Sequence, residues 1–283
     1  MTLQVLIVSY RRADLLAGLL ADLERLHPEW PVHVWDNASD GSDDVRALAA
    51  EQSQVRWTFS PDNLGFAAGV NRLAAAAPAG ADLLLLNPDA RLLGPLTPLV
   101  DALDVDPGAA AVAPLTRAGR QAPWDVAHRR PRLLSSLVEY AGYAERLRRW
   151  RWSGRYAEPP ALCDWASGSC LLVRRKAWDE VGPFDEAFWL YGEEVDWSLR
   201  AKRRGWHVRL VAEELVGHDA GATVDDDATQ SERSAALLRS SQTLLLRRCS
   251  GAVAATAFTV ITAVIDRVQP AKRRRRAEWA SAR

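Results

Sequence analysis

Four short polar clusters are the first residues in this chain with chemistry to offer: Ser9-Tyr10, Asp36-Asn37, Asp62-Asn63 and Asn87-Pro88-Asp89. They follow the apolar runs Leu3–Val8, Val32–Trp35, Val55–Phe59 and Leu83–Leu86, so all four stand at the carboxyl ends of expected strands. Any one of them alone also reads as turn chemistry, since Asn, Asp, Ser and Pro are ordinary turn residues. Four at one edge read instead as a ligand site, because open α/β sheets bind ligands outside the carboxyl ends of their strands. Carboxylates mixed with amides suit a ribose hydroxyl, a base edge and a hard cation. Asp89 offers the oxygen ligation that Mg²⁺ or Mn²⁺ prefers, usually completed by substrate phosphates and water. A metal-bridged nucleoside diphosphate fits this inventory. The chain has no G-x-x-x-x-G-K-[ST] and no G-x-G-x-x-G after the first apolar run, which argues against P-loop and dinucleotide sites. It also lacks G-x-S-x-G and H-E-x-x-H, which removes the common hydrolase signatures.

A second acidic cluster, Glu193, Glu194 and Asp196, opens a helix expected over about residues 192–204. Acids in a first turn complement the helix dipole, and Asp196 with Arg200 is an i,i+4 pair. The same carboxylates could instead hold or move a proton on a bound substrate. Both readings stand at the level of sequence. His27, His33 and His207 read as packing or surface residues, and His128 lies in a basic loop with Arg129, Arg130 and Arg132. Cys163 and Cys170 read as small buried residues.

The elements that must position these groups alternate. A strand at Leu3–Val8 is followed by a helical pattern with Leu15, Leu16, Leu19, Leu20, Leu23 and Leu26 on one side. A strand at Val32–Trp35 leads to a turn at Asp40-Gly41-Ser42 and a short helix. A strand at Val55–Phe59 precedes an Ala-rich helix over Phe66–Ala77. Further strands are expected at Leu83–Leu86 and Ala109–Ala113. This βαβα rhythm with nearly continuous apolar strands predicts an α/β fold, a Rossmann-like, mostly parallel central sheet flanked by helices on both faces. From Thr116 to Pro160 the rhythm breaks into Arg- and Trp-rich sequence. It resumes with Gly168–Arg174, the helix at 192–204 and a strand near Trp206–Val211, and the tail reads as helical from about Ser231 to Val268. The expected organisation is a domain over 1–222, with a nucleotide-binding half at 1–115 and an acceptor-side, catalytic half at 116–222. A helical extension with a basic tail follows over 223–283.

Composition narrows the class. The chain has 283 residues, 48% of them hydrophobic and 25% charged, enough for a sizeable core and too apolar for bulk disorder. Thirty-six Lys and Arg balance 36 Asp and Glu, which argues against a nucleic-acid binder. Lysine occurs only at 176, 202 and 272, so the positive charge is nearly all arginine. Three cysteines without a C-x-x-C encode neither a disulfide framework nor a zinc ribbon. Leu3–Val8 lacks a basic leader and a small-residue cleavage site and reads as a buried strand. The expected location is cytoplasmic.

Ordered motifs then carry a resemblance. Val8-Ser9-Tyr10, Asp36 through Ser42, Asn63 through Asn71 and Leu86-Asn87-Pro88-Asp89 resemble the successive motifs of family 2 glycosyltransferases. Ser167 through Arg174, Phe184 through Phe188, Tyr191 through Trp197 and His218-Asp219-Ala220-Gly221 continue the series, which is most similar to the bacterial rhamnosyltransferase-like branch. The resemblance covers roughly residues 3–221. It implies the GT-A fold and sugar transfer from a nucleotide donor, dTDP-rhamnose or a UDP-linked sugar, to a saccharide or lipid-linked acceptor in envelope polysaccharide assembly. By position it implies that Ser9, Tyr10 and Asp36 hold the nucleoside. Asn63, Gly65, Asn71 and Asn87 fall in the donor-binding motifs. Asp89 would meet a divalent metal, Mg²⁺ or Mn²⁺, with His218 placed to complete the metal or diphosphate shell. Asn87 stands where the family more often has Asp, so the metal motif has one carboxylate fewer. The resemblance points to an inverting transfer with Glu194 as general base and Glu193 as the alternative.

Two rivals follow from the same residues. A nucleotidyltransferase of this fold would carry a Gly/Arg-rich loop where Ser9-Tyr10-Arg11-Arg12-Ala13 stands. A non-catalytic nucleotide-sugar binder or membrane scaffold would tolerate loss of the Glu194 carboxylate. The tail bears on the last point. The Arg/Trp segment 146–155 combines interface-seeking indoles with cations. Val253, Phe258, Val260, Ile261, Val264 and Ile265 precede Lys272-Arg273-Arg274-Arg275-Arg276. The apolar stretch, roughly 15 residues, is short of the ~20 needed to span a bilayer. An apolar helix with a basic run suits peripheral attachment to an anionic leaflet, and a helix packed on the domain is the other reading.

Overall fold

The computed structural model describes residues 2–39, 44–117, 127–128, 130–140, 162–218 and 228–268. The Asp40-Gly41-Ser42 turn, the Arg/Trp segment 146–155, Asp219-Ala220-Gly221 and the basic run 272–276 lie outside them.

The first half alternates as its periodicity predicts: β1 Leu3–Ser9, α1 Ala13–Leu26, β2 Val32–Asp36, α2 Val45–Glu51, β3 Arg56–Phe59, α3 Phe66–Ala76 and β4 Asp82–Leu86. In this half two elements are additional to the sequence reading, β5 Ala90–Leu92 and α4 Thr97–Val105, and further on so are the helices at Leu133–Tyr140 and Arg175–Val181 and three two-residue strands. Pro98 in the first turn of α4 hid it among loop signals, although Pro there is compatible with a helix start. Then come β6 Ala109–Arg117, β7 Ala127–His128, α5 Leu133–Tyr140, β8 Leu162–Cys163, β9 Trp165–Ala166, β10 Cys170–Val173, α6 Arg175–Val181, α7 Glu193–Arg203 and β11 His207–His218. The tail forms α8 Ala228–Ser250 and α9 Ala252–Val268. It is therefore not one continuous helix: a break at Gly251 folds α9 back on α8.

The main sheet runs β3-β2-β1-β4-β10-β6-β11-β5. The strands β3, β2, β1 and β4 are parallel, while β10 inserts antiparallel between β4 and β6, and β5 closes the far edge antiparallel to β11. The expected mostly parallel sheet is thus parallel in its amino-terminal half and mixed beyond it. β10 begins beside the end of β4, with Cys170 opposite Leu86, and so runs back through the sheet without the crossover that a parallel strand would need.

The two faces of the sheet sort by strand alternation. Leu6, Val8, Leu83 and Leu85 face one core with Val70 and Leu73 of α3, Trp178 of α6 and Trp197 of α7. Val5, Ile7, Leu84 and Leu86 face the other with Leu16, Leu19 and Leu23 of α1 and Leu99 and Leu103 of α4. Both faces are covered, which is why the strands read as continuous apolar runs.

The tail helices pack on this body in two steps. α8 sets Leu245 and Cys249 against Phe188, Val195 and Leu199. α9 buries Phe258 and Ala255 against Leu246 of α8 and the α5 residues Leu133, Leu137 and Tyr140. Phe258, read as part of a membrane face, is fully buried. The opposite side of α9 leaves Val253, Val260, Ile261, Val264 and Val268 exposed. Among the described residues no helix is long and apolar enough to cross a membrane.

Candidate active site

Register brings the first polar clusters to one edge. Ser9 lies opposite Asp36 and Asp36 opposite Phe59, while β4 runs beside β1 with Leu86 opposite Ile7. Asn37 N–H donates to the Ser9 carbonyl at 2.8 Å, and Ser60 N–H to the Asp36 carbonyl at 2.9 Å. Parallel pairing therefore extends past the strand ends and aligns the loops that follow them.

At this edge Ser9 is fully buried and Asp36 nearly so. The Asp36 carboxylate accepts Ser39 Oγ at 2.5 Å and Ser39 N–H at 3.1 Å. Burial pushes its pKa up, opposed by the two Ser39 hydrogen bonds and the nearby Arg46 charge. Ser39 Oγ also accepts Arg11 N–H at 2.8 Å, which fastens the loop after β1 to the loop after β2. Tyr10 is half-buried, with the Arg11 guanidinium 5.1 Å from its ring centroid. Arg11, Arg12, Ala38, Asp44 and Tyr191 all have φ between 49° and 69°. Non-glycine residues rarely adopt that region, and such strain gathers at binding sites.

Asn63 and Gly65 form a second group. Asn63 Oδ1 accepts Gly65 N–H at 3.0 Å. Asn37, buried, donates through Nδ2 to the Gly65 carbonyl at 3.0 Å and accepts Leu64 N–H at 2.9 Å. Gly65 has φ of 85°, and a Cβ there would stand 2.3 Å from the Trp189 carbonyl, which accepts Phe66 N–H at 2.8 Å. Only glycine fits, and the 63–66 loop is thereby docked on the segment leading into α7. Sequence reading placed Asn37 in the edge cluster without a role. Its side chain is the link between β2 and this loop. The amide of Asn71 is engaged elsewhere: Oδ1 accepts Phe184 N–H at 2.9 Å, and Nδ2 donates to the Phe184 carbonyl at 3.0 Å and to Glu186 at 3.1 Å. It ties α3 to the loop before α7.

The third group centres on the turn after β4. Asn87 is half-buried, and its N–H donates to the Ser169 carbonyl at 3.1 Å. Next to Ser169, Gly168 faces Glu194, whose Cγ lies 3.9 Å from the place a Cβ on Gly168 would take. The Asn87–Asp89 turn, the 167–169 turn and the start of α7 are thus linked in series. His218 pairs in register with Ala90, one residue past Asp89. Asp89 is buried, with Oδ1 shielded from solvent. The described residues contain no group of three side chains able to hold a metal by themselves. A single shielded carboxylate suits a hard cation that brings phosphate oxygens and water as its remaining ligands, and does not form a cage of its own.

The two glutamates differ. Glu193 is 4% exposed, and Oε2 makes no hydrogen bond among the described residues. A first-turn acid gains about 0.3–1 kcal/mol from the helix dipole, whereas removing a carboxylate from water costs several kcal/mol. Burial wins: it raises the Glu193 pKa well above the ordinary value, and the Glu194 charge adds to the rise. Glu194 is half-buried as a residue, although its Oε2 is shielded from solvent like that of Glu193. Helix α7 holds both in place. Trp197 is fully buried and donates through Nε1 to the Gly182 carbonyl at 2.9 Å, and Arg200 donates to the Val181 and Pro183 carbonyls. The expected Asp196–Arg200 pair is present at 2.8 Å, and Asp196 also accepts from Arg248 of α8 at 2.8 Å, a partner that no local pattern announced.

Comparison with known proteins gives the family and the fold. Residues 4–182 match glycosyl transferase family 2, and residues 121–270 match glycosyl transferase family group 2. The chain is 34% identical over 248 residues, covering 80% of this chain and 79% of its relative, to the N-acetylglucosaminyl-diphospho-decaprenol L-rhamnosyltransferase of Mycobacterium tuberculosis. Among solved structures it is similar to GalNAc-T7 with UDP, GalNAc and Mn²⁺ (TM-score 0.58, 15% identity, 77% of this chain and 44% of that one). It is also similar to residues 1–349 of S. aureus TarS in complex with UDP (TM-score 0.52, 14% identity, 88% and 67%). At these identities the structural likeness speaks for the fold, which is GT-A.

The buried Glu193 has a measurable signature. A raised folded pKa means that the native state keeps a proton which the unfolded chain releases, so wild-type stability falls as pH rises above the ordinary value of 4.5. Glu193→Gln mimics the protonated form and lacks this slope. As the pH rises above 4.5 its melting temperature should gain on that of the wild type, until the folded Glu193 itself ionises. Parallel melting curves across that range would show that Glu193 is not held protonated.

Proposed function

The chain belongs to glycosyl transferase family 2, and on that premise we propose that it catalyses an inverting sugar transfer, with rhamnose from dTDP-rhamnose as the first candidate donor and UDP-linked sugars the next. The proposed acceptor is a lipid-linked saccharide of envelope polysaccharide assembly, which fits the name of the mycobacterial relative. The observation that carries the reading is the linkage of the Asn87–Asp89 turn through Ser169 and Gly168 to Glu194. It supports Glu194 as the carboxylate that serves a donor held at that turn.

In this reading Ser9, Tyr10 and Asp36 bind the nucleoside, with Asp36 accepting a ribose hydroxyl, and Asn63, Gly65 and Asn87 shape the sugar and diphosphate side. Asn71 acts on the same pocket indirectly, by fixing the Phe184 loop. Asp89, with His218 paired to the next residue Ala90, would hold Mg²⁺ or Mn²⁺ together with the diphosphate. A bound cation there would neutralise charge on the departing diphosphate. Glu194 takes the proton of the acceptor hydroxyl as its oxygen attacks the anomeric carbon, while the bond from that carbon to the diphosphate oxygen breaks with its electron pair on the nucleoside diphosphate. Glu193 is the poorer base because burial favours its protonated form.

The working place proposed is the inner face of the cell membrane, reached peripherally. The exposed valines of α9 face away from the domain, and the sequence after α9 supplies five successive cations, 272–276.

Three measurements test this. Glu194→Gln should keep nucleotide affinity within about twofold and lose about 10²–10⁴ in kcat; equal turnover would remove the base assignment, and a wild type that binds nucleotide sugars without transfer would favour a binding protein. Asp89→Ala should abolish the gain in dTDP or UDP affinity produced by Mg²⁺ or Mn²⁺ in calorimetry, and an unchanged metal dependence would exclude Asp89. The protein should cosediment with phosphatidylglycerol vesicles, release at high salt and weaken when Val260 and Val264 become Glu; indifference to such vesicles at physiological salt would refute attachment by this face.

A further inference from the structure

We propose that Arg248 of α8 is a positioning residue for the transfer reaction: by fixing the first turn of α7 it aims the Glu194 carboxylate, so the C-terminal helices are a working part of the active site. The inference rests on the reading of Glu194 as base. Asp196 lies two residues beyond Glu194 and its side chain is 6% exposed. Its Oδ1 accepts from Arg248 Nη1 at 2.8 Å and its Oδ2 from Arg200 Nε at 2.8 Å. The second arm of Arg248 donates from Nη2 to Asp185 Oδ2 at 2.5 Å, and the guanidinium lies 5.0 Å from the centroid of the Phe188 ring.

One planar cation thus ties together the two ends of the bend that delivers Glu193 and Glu194. That bend passes through Tyr191 at φ 69° and Gly192 at φ 95°, two consecutive left-handed residues whose conformation must be held from outside. Leu245 of α8 closes on Gly192, where a Cβ would meet its Cδ1 at 3.1 Å, and Ser241 Oγ donates to the Leu190 carbonyl at 3.1 Å. These contacts hold α8 near the bend. The Arg248 fork adds direction, because both arms carry charge-assisted hydrogen bonds to carboxylates on opposite sides of it. A lysine offers a point charge and can serve one carboxylate well but not both. The nucleoside-side groups Ser9 and Asp36 make none of these contacts, while the 63–66 loop meets the bend through Trp189, so loosening the fork should disturb the acceptor's proton transfer far more than nucleotide affinity.

The test is steady-state transfer by the full chain together with calorimetric nucleotide affinity and thermal melting for Arg248→Gln, Arg248→Lys and Arg239→Gln. Arg239 pairs with Asp266 at 3.0 Å and joins α8 to α9 away from the bend, so its loss loosens the extension without touching the fork. A misplacement of about 1 Å can cost up to roughly 10²-fold in rate, so Arg248→Gln should lower kcat by roughly 10- to 100-fold. Its nucleotide Kd should stay within about twofold, Arg248→Lys should recover part of kcat, and Arg239→Gln should stay within about twofold of wild type. The proposal is overturned if Arg248→Gln keeps kcat within about twofold, or if Arg239→Gln loses as much as Arg248→Gln, which would make the extension general support only. Should Arg248→Gln fail to fold, Arg248→Lys decides: wild-type kcat in that variant overturns the proposal, and reduced kcat at unchanged nucleotide affinity supports it. Full turnover in Glu194→Gln would remove the base reading and this proposal together, whereas an unaffected Arg248 series beside an inactive Glu194→Gln would remove this proposal alone.

Discussion

Two adjacent glutamates at the start of a helix, one of them almost wholly out of water, are a conformation that the chain would not adopt unaided. Burial of Glu193 is unfavourable for its charge, and the Glu194 charge beside it makes ionisation harder still. What holds them is the rest of α7: Trp197 locked in the core and hydrogen-bonded to Gly182, Arg200 closing on the carbonyls after α6, and Asp196 between two arginines. The apolar far side of the helix supplies the stability, and the polar near side is carried into place by it. The ordering of the core around Trp178, Phe184 and Trp197 is in this sense a condition for the chemistry at the other end of the helix.

The amino-terminal half works by a different rule. Parallel strands in matched register end together, so polar residues that follow them arrive at one edge without any further device. The devices that do appear there are connections between loops: Ser39 joining the ends of β1 and β2, and Asn37 joining β2 to the 63–66 loop. Left-handed backbone at Arg11, Arg12 and Ala38 shows the loops held away from their relaxed forms, in keeping with a preorganised ligand edge.

The C-terminal helices join the two concerns. α8 contacts the bend before α7, and α9 presents an apolar side outward while its other side packs on α8 and α5. The two sequence-level alternatives for the tail, packing on the domain and facing a membrane, are therefore compatible, since an amphipathic distribution leaves one face for each. Their meeting place is Leu246 and Phe258, where the outward helix is fastened to the one that touches the active-site bend.

By itself the sequence determined the alternation of strands and helices, the placing of Ser9, Asp36, Asn63 and Asn87 after apolar runs, and the amphipathic character of the tail. All of these are local: periods of two and of 3.6 residues, and punctuation by turn residues. Tertiary structure decided what such patterns do not encode. It turned β10 antiparallel between β4 and β6 and committed the Asn71 amide to Phe184, 113 positions away. It buried Glu193 almost wholly and Glu194 in part, although the two are neighbours of one type. It also gave Asp196 a second arginine from 52 positions on. The physical reason is the same in each case. A periodic pattern states which face of an element is buried, but the partner across that face is chosen only when distant elements pack, and the burial and charge of each polar group follow from that partner.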